Sequence, residues 1–144
     1  MNNGNELVDD FVFEIKTIHK DLRTIVNTQL KTPKMEHALF EKFGQMIDRI
    51  YGTAMTLGYT DIGKYFLAIK EISYMSSQCN HEVGQKKALR MMMECVDNME
   101  KICSTIYNKE ELKNLNRLFF AVQIAKAERL AKTDFHNITR KSVA

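Results

Sequence analysis

The sequence predicts an all-α protein, and three observations carry that expectation. Apolar residues recur at steps of three and four over long stretches, as on one buried face of a helix. The 144 residues include one proline, six glycines and no tryptophan, which favours long helices over a many-turned sheet. The periodic stretches are separated by short links rich in helix start and stop residues. A chain of this length fits one domain with a core that needs no staples.

Each helix has its own signature. Leu7, Val8, Phe11, Ile15, Ile18, Leu22, Ile25 and Val26 give a first helix with one apolar side. His19, Lys20 and Arg23 point away from it, so His19 is expected in solvent. Thr32 and Pro33 read as the cap and first residue of a second helix, whose stripe is Leu39, Phe43, Met46, Ile47, Ile50, Ala54 and Leu57. Gly58 is placed to close it as a C′ glycine, and Thr60 or Asp61 to cap the third helix. The third helix must then return antiparallel beside the second. Its stripe is Ile62, Tyr65, Phe66, Ile69, Ile72 and Ser76, with Gly63 marking the closest approach of the pair.

Asn80 is the expected cap of a fourth helix, with Glu82 in its first turn. Leu89, Met92, Met93, Val96, Met99, Cys103 and Ile106 form its apolar side, and the run Met91 to Met93 must turn at least one methionine away from the core. Asn108 followed by Lys109, Glu110 and Glu111 is the clearest helix start. The fifth helix, 109–131, carries Leu112, Leu115, Leu118, Phe119 and Val122 on one side, with Phe120 and Ile124 on another. That breadth predicts burial on two sides, in a groove of its own bundle or against a partner. The predicted architecture is an antiparallel four-helix bundle of the second, third and fourth helices plus the first or fifth, with one helix added. Residues 1–131 form the domain, and 132–144 a polar, mildly basic tail, including Arg140 and Lys141, that frays.

Composition and motifs narrow the function. A net charge of +3 is too small to argue for nucleic acid without a concentrated patch. Cys79, Cys95 and Cys103 form no Cys-x-x-Cys pair and have no zinc-type spacing with His19, His37, His81 or His136. Cys95 and Cys103 read as small core residues, and a reducing cytoplasm is the natural compartment. The start of the chain lacks the basic residues and apolar run of a signal peptide, and no segment reads as a membrane span. The sequence holds no phosphate loop, no His-Glu-x-x-His, no Ser-x-x-Lys and no di-metal or haem ligand pattern. The expectation is a protein that is not an enzyme and takes no cofactor or metal.

One stretch stands apart. Gly44, Asp48 and Gly52 fall at i, i+4 and i+8 of the second helix, bordered by Tyr51 and Met55. A mid-helix glycine costs about 1 kcal/mol against alanine, so two of them flanking a carboxylate need a reason. Either something docks close to the backbone beside Asp48, or another helix of the domain packs there.

Ile50, Gly52, Ala54, Leu57 and Gly58, with Thr53 as a small residue, resemble the signature helix of histidine-containing phosphotransfer (HPt) domains, which runs roughly Ala-His-x-Leu-Lys-Gly-x-Ala-x-x-Leu-Gly. The resemblance covers about residues 38–106. It departs from the motif twice: Asp48 stands in place of the phosphorylated histidine, and Tyr51 in place of the lysine that helps neutralise the phosphoryl group. A carboxylate cannot replace imidazole there, being a poor nucleophile toward an aspartyl phosphate and repelling phosphoryl oxygens. The resemblance therefore implies an HPt-like bundle of two-component signalling that has lost its chemistry and docks a receiver domain without accepting phosphate. Asp48, Tyr51 and Gly52 are the phosphotransfer-position equivalents, and Glu41, Gly44, Asp48, Arg49, Tyr51, Gly52 and Met55 form the expected docking face. The alternative is a helical module unrelated to phosphorelays that self-associates as a homodimer through 109–131. Neither reading calls for nucleic acid or a membrane.

Overall fold

The computed structural model describes residues 3–138, with side chains from Glu6 onward. Helix makes up 84% of the described residues, and no strand occurs among them. The helices are α1 (Asn3–Lys31), α2 (His37–Thr56), α3 (Thr60–Ser76), α4 (Glu82–Thr105) and α5 (Lys109–Leu115). From α5 the backbone runs through a π-helical turn (Asn116–Phe120) into α6 (Ala121–Thr133), which together form the fifth helical rod. Helix α1 packs against α2 and α4, while α3 packs against α2, α4 and α6. Phe11, Phe40, Phe43, Ile47, Ile50, Tyr65, Phe66, Met92 and Phe120 are sealed in the core they enclose.

Buried glutamines and one glycine set the chain reversals. Gln29 brackets Glu36, donating from Nε2 to its carbonyl and accepting its N–H at Oε1, both at 2.9 Å. That bracket, and not the expected Thr32–Pro33 start, fixes the entry into α2. The Thr32 hydroxyl turns back to the Gln29 carbonyl, and α2 begins at His37 after Glu36. At the next reversal Gly58 has φ +85°, and two bonds close the end of α2: Gly58 N–H to Met55 O at 3.1 Å and Tyr59 N–H to Ala54 O at 2.9 Å. This is the Schellman closure expected of a C′ glycine. Thr60 and Asp61 lie inside α3 instead of capping it, because Tyr59 already holds the N-cap position.

Likewise Asn80 does not cap α4; His81 precedes its first residue. Gln85 holds that link from below, its Nε2 donating to Ser76 O at 3.1 Å and Cys79 O at 2.8 Å. Asn108 does cap α5, accepting the Glu111 N–H at 3.0 Å. Met91 and Met92 are buried because α4 lies between α1 on one side and α3 and α6 on the other; Met93 is the one left half-exposed. Cys95 and Cys103 are both buried and free.

The last rod departs from expectation in register. The π turn inserts a residue, so the inward side passes from Leu112 and Leu115 to Phe120, Gln123, Ala127 and Leu130. Leu118 and Val122, expected on the buried stripe, face outward. Phe120 stacks on Tyr65 at 4.9 Å between ring centroids. The described part of the tail, to Ile138, is docked instead of frayed: Phe135 is buried against Gly84, where an added Cβ would lie 3.0 Å from its ring. Arg140 and Lys141 lie outside the described residues. No helix among those described is long and apolar enough to cross a membrane.

Candidate functional site

The α2–α3 hairpin turns about Tyr59, so residues equidistant from Tyr59 along the chain face each other. Met55 meets Gly63, Asp48 meets Lys70, and Gly44 meets Tyr74. The first contact places Gly63 in the α2–α3 seam, where the Met55 side chain fills the space beside its backbone. The second builds the site. Lys70 Nζ donates to Asp48 Oδ1 at 2.9 Å and stands 4.9 Å from the centre of the Tyr51 ring. The Lys70 side chain is 11% exposed and that of Asp48 53%, so an almost buried lysine surfaces only at its carboxylate. Its stem runs along apolar surface while the ammonium reaches the rim.

The third contact corrects the expected face. Gly44 is buried, and an added Cβ would lie 2.5 Å from the Tyr74 ring. Gly44 is therefore a packing glycine, which lets α3 approach, and it does not belong to an exposed surface. Burial, with Asp48 and then Glu41 adding negative charge, raises the Tyr74 phenol above its ordinary pKa. Gly52 is the opposite case. It is exposed, and an added Cβ would meet nothing within 4 Å. Arg49 and Met55 are also exposed, while Glu41 and Tyr51 are half-buried.

Beside Asp48 and Gly52 runs an open groove of about 560 Å³ between α1 and α2, bordered by Asp10, Glu14, Arg49 and Thr56. Thr53 ties its walls together by donating to Glu14 Oε1 at 2.9 Å. No imidazole lies on this surface. His19 is not the solvated residue expected of it: its ring is half-buried, with Nε2 3.0 Å from Val96 O in the α1–α4 seam. His37 Nε2 lies 2.6 Å from Cys79 O, His81 Nε2 3.1 Å from Asp134, and His136 Nδ1 3.1 Å from Thr133 O. Among the described residues no group of three or more His, Cys, Asp or Glu side chains converges as a metal site.

Lys70 and Tyr74 are the residues that sequence reasoning missed. The signal was present in the turn: once Gly58 ends α2, the symmetric pairing about Tyr59 sets Lys70 opposite Asp48. Comparison of the chain with protein-family models, curated proteins and solved structures returns no match.

Proposed function

We propose that this protein is a non-catalytic, HPt-like docking module of two-component signalling, and that it binds a receiver domain in the cytoplasm without accepting phosphate. The observation that carries this reading is Asp48: an exposed mid-helix carboxylate in the motif histidine's position, held by Lys70 and next to the open backbone of Gly52. The order of packing supports the architecture the resemblance implies. The packing of α1 on α2 and α4, and of α3 on α2 and α4, is compatible with a four-helix bundle of α1 to α4 to which the last rod is added along α3 and α4.

The chemistry follows from the pair. Asp48 carries no nucleophilic nitrogen, and its charge opposes an incoming phosphoryl group. Lys70 offsets that charge, so the face presented to a partner is close to neutral at its centre. Gly52, Arg49, Tyr51 and Met55 supply the surrounding contacts, and Glu41 lies toward the rim. The test pairs binding with transfer: a panel of receiver domains, unphosphorylated and radiolabelled as aspartyl phosphates, is incubated with the protein. Saturable binding without label on this chain is expected. Acid-labile, base-stable label would mean that one of the four histidines accepts phosphate, and the reading would fail.

A second reading has one observation in its favour. Leu118 and Val122, at i and i+4 on the last rod, are 68% and 47% exposed. If they join two copies, sedimentation will give a dimer that Leu118→Ser with Val122→Ser dissociates.

A further inference from the structure

Away from the Asp48 surface, α4 and α6 border an open cleft of about 370 Å³ lined by Lys87, Arg90, Glu94, Lys126, Arg129 and Asp134. Four cations thus face two carboxylates, and both carboxylates are already engaged. Asp134 Oδ2 accepts from Lys87 Nζ at 3.0 Å, and its Oδ1 lies 3.1 Å from His81 Nε2. Glu94 Oε2 accepts from Gln123 Nε2 at 3.5 Å. Arg90, Lys126 and Arg129 are exposed and have no carboxylate partner among the described residues. Other surface cations, such as Arg49, Lys101 and Arg117, also lack a carboxylate partner among the described residues; what sets Arg90, Lys126 and Arg129 apart is that they line one cleft.

We propose that this cleft binds a small ligand bearing a diphosphate-type anion. Unpaired cations gathered in one concavity repel each other when it is empty, and an anion reverses the sign of that interaction. Arg90 and Arg129 come from facing helices and offer planar forks suited to bidentate contact with phosphoryl oxygens, with Lys126 as a point charge. The volume lies at the lower end of small-ligand pockets, which run from about 300 to 1,000 Å³. Glu94 and Asp134 interrupt the basic lining, so it lacks the unbroken stripe that a nucleic-acid backbone follows. Met91 and Leu130 close the floor of the cleft and are buried, so recognition rests on the charged rim. That chemistry is shared by a nucleoside diphosphate and bare pyrophosphate.

The experiment titrates the full chain with pyrophosphate and, separately, adenosine diphosphate, metal-free and with ionic strength held constant by sodium chloride. Calorimetry reads the affinity and thermal melting the stabilisation. Saturable binding of at least one probe is expected. Replacing both guanidinium groups (Arg90→Gln with Arg129→Gln) should weaken it by about tenfold or more, whereas Lys101→Gln, outside the cleft, should leave it unchanged. Lys126→Glu is the second variant, used if the double substitution does not fold, and should weaken binding by a similar factor. Tighter binding of adenosine diphosphate assigns the site to nucleotides, and equal binding assigns it to the diphosphate alone. No saturable binding of either probe, or binding undiminished in the variants, overturns the proposal.

Discussion

Gly44 and Gly52 lie two turns apart on one stripe of α2, yet they do opposite things. Gly44 is roofed by the Tyr74 ring, and Gly52 is covered by nothing. The stripe is therefore not one surface. Its first half is the seam between α2 and α3, its second half is open, and Asp48 with Lys70 marks the boundary. A glycine repeat at helical spacing identifies where a backbone is bare, not what lies against it.

The largest effect should come from filling the closed end. Gly44→Leu forces the Tyr74 ring out of its place, and overpacking of this kind costs about 3 kcal/mol at the upper end of its usual range. Thermal unfolding should show a drop of several degrees. An unchanged melting temperature would mean that the seam gives way easily, and the contrast between the two glycines would dissolve.

The boundary predicts an asymmetry. Asp48→Ala strands an almost buried ammonium and should cost about 1–2 kcal/mol. Lys70→Met leaves behind only a half-exposed carboxylate, which water can solvate, and should cost under about 1 kcal/mol, as for exposed pairs. Urea denaturation of both variants tests the order. The reverse order would mean that Lys70 is held by its stem and not by Asp48.

A smaller effect contrasts Asp48 with another lysine-held carboxylate, Asp134. Hydrogen bonds from Lys87 and then His81 hold the Asp134 carboxyl below its ordinary value of 3.8. A lowered folded pKa contributes stability that is fully present above the unfolded value and is lost as pH falls through the folded one. Asp134→Asn should therefore reduce stability at neutral pH and flatten its decline below pH 3.8. Denaturation midpoints measured across the acid range check this.

Much of this arrangement was legible in the sequence, and the exceptions share a cause. Periodicity marked all five rods, Gly58 the closure of α2, and Asn108 the start of α5, because those signals act within a few residues. Lys70 was missed because its carboxylate partner sits on another helix. The Thr32–Pro33 signal was genuine chemistry overridden by Gln29, a buried amide that supplies both backbone partners at once. Leu118 and Val122 were misassigned because a π turn shifts the helical phase, and a constant period does not anticipate an inserted residue. Phe135 lies in the segment expected to fray, and Gly84 on α4 provides its seat. Of the candidate face, the exposed part around Asp48 and Gly52 was readable, whereas Gly44 was misplaced for want of Tyr74.

Gly52→Leu tests the docking face most directly, because it adds bulk where the fold has none to resist it. Removing a mid-helix glycine should stabilise the free protein by somewhat under about 1 kcal/mol. Affinity for a receiver domain that binds the unaltered chain should fall by about tenfold or more, as when a contact at the centre of an interface is lost. Melting temperature and affinity measured on the same sample give both numbers. A variant that melts no lower and no longer binds is the expected result. A variant that binds its receiver as tightly as before would place the docking surface elsewhere and contradict the assignment of this face.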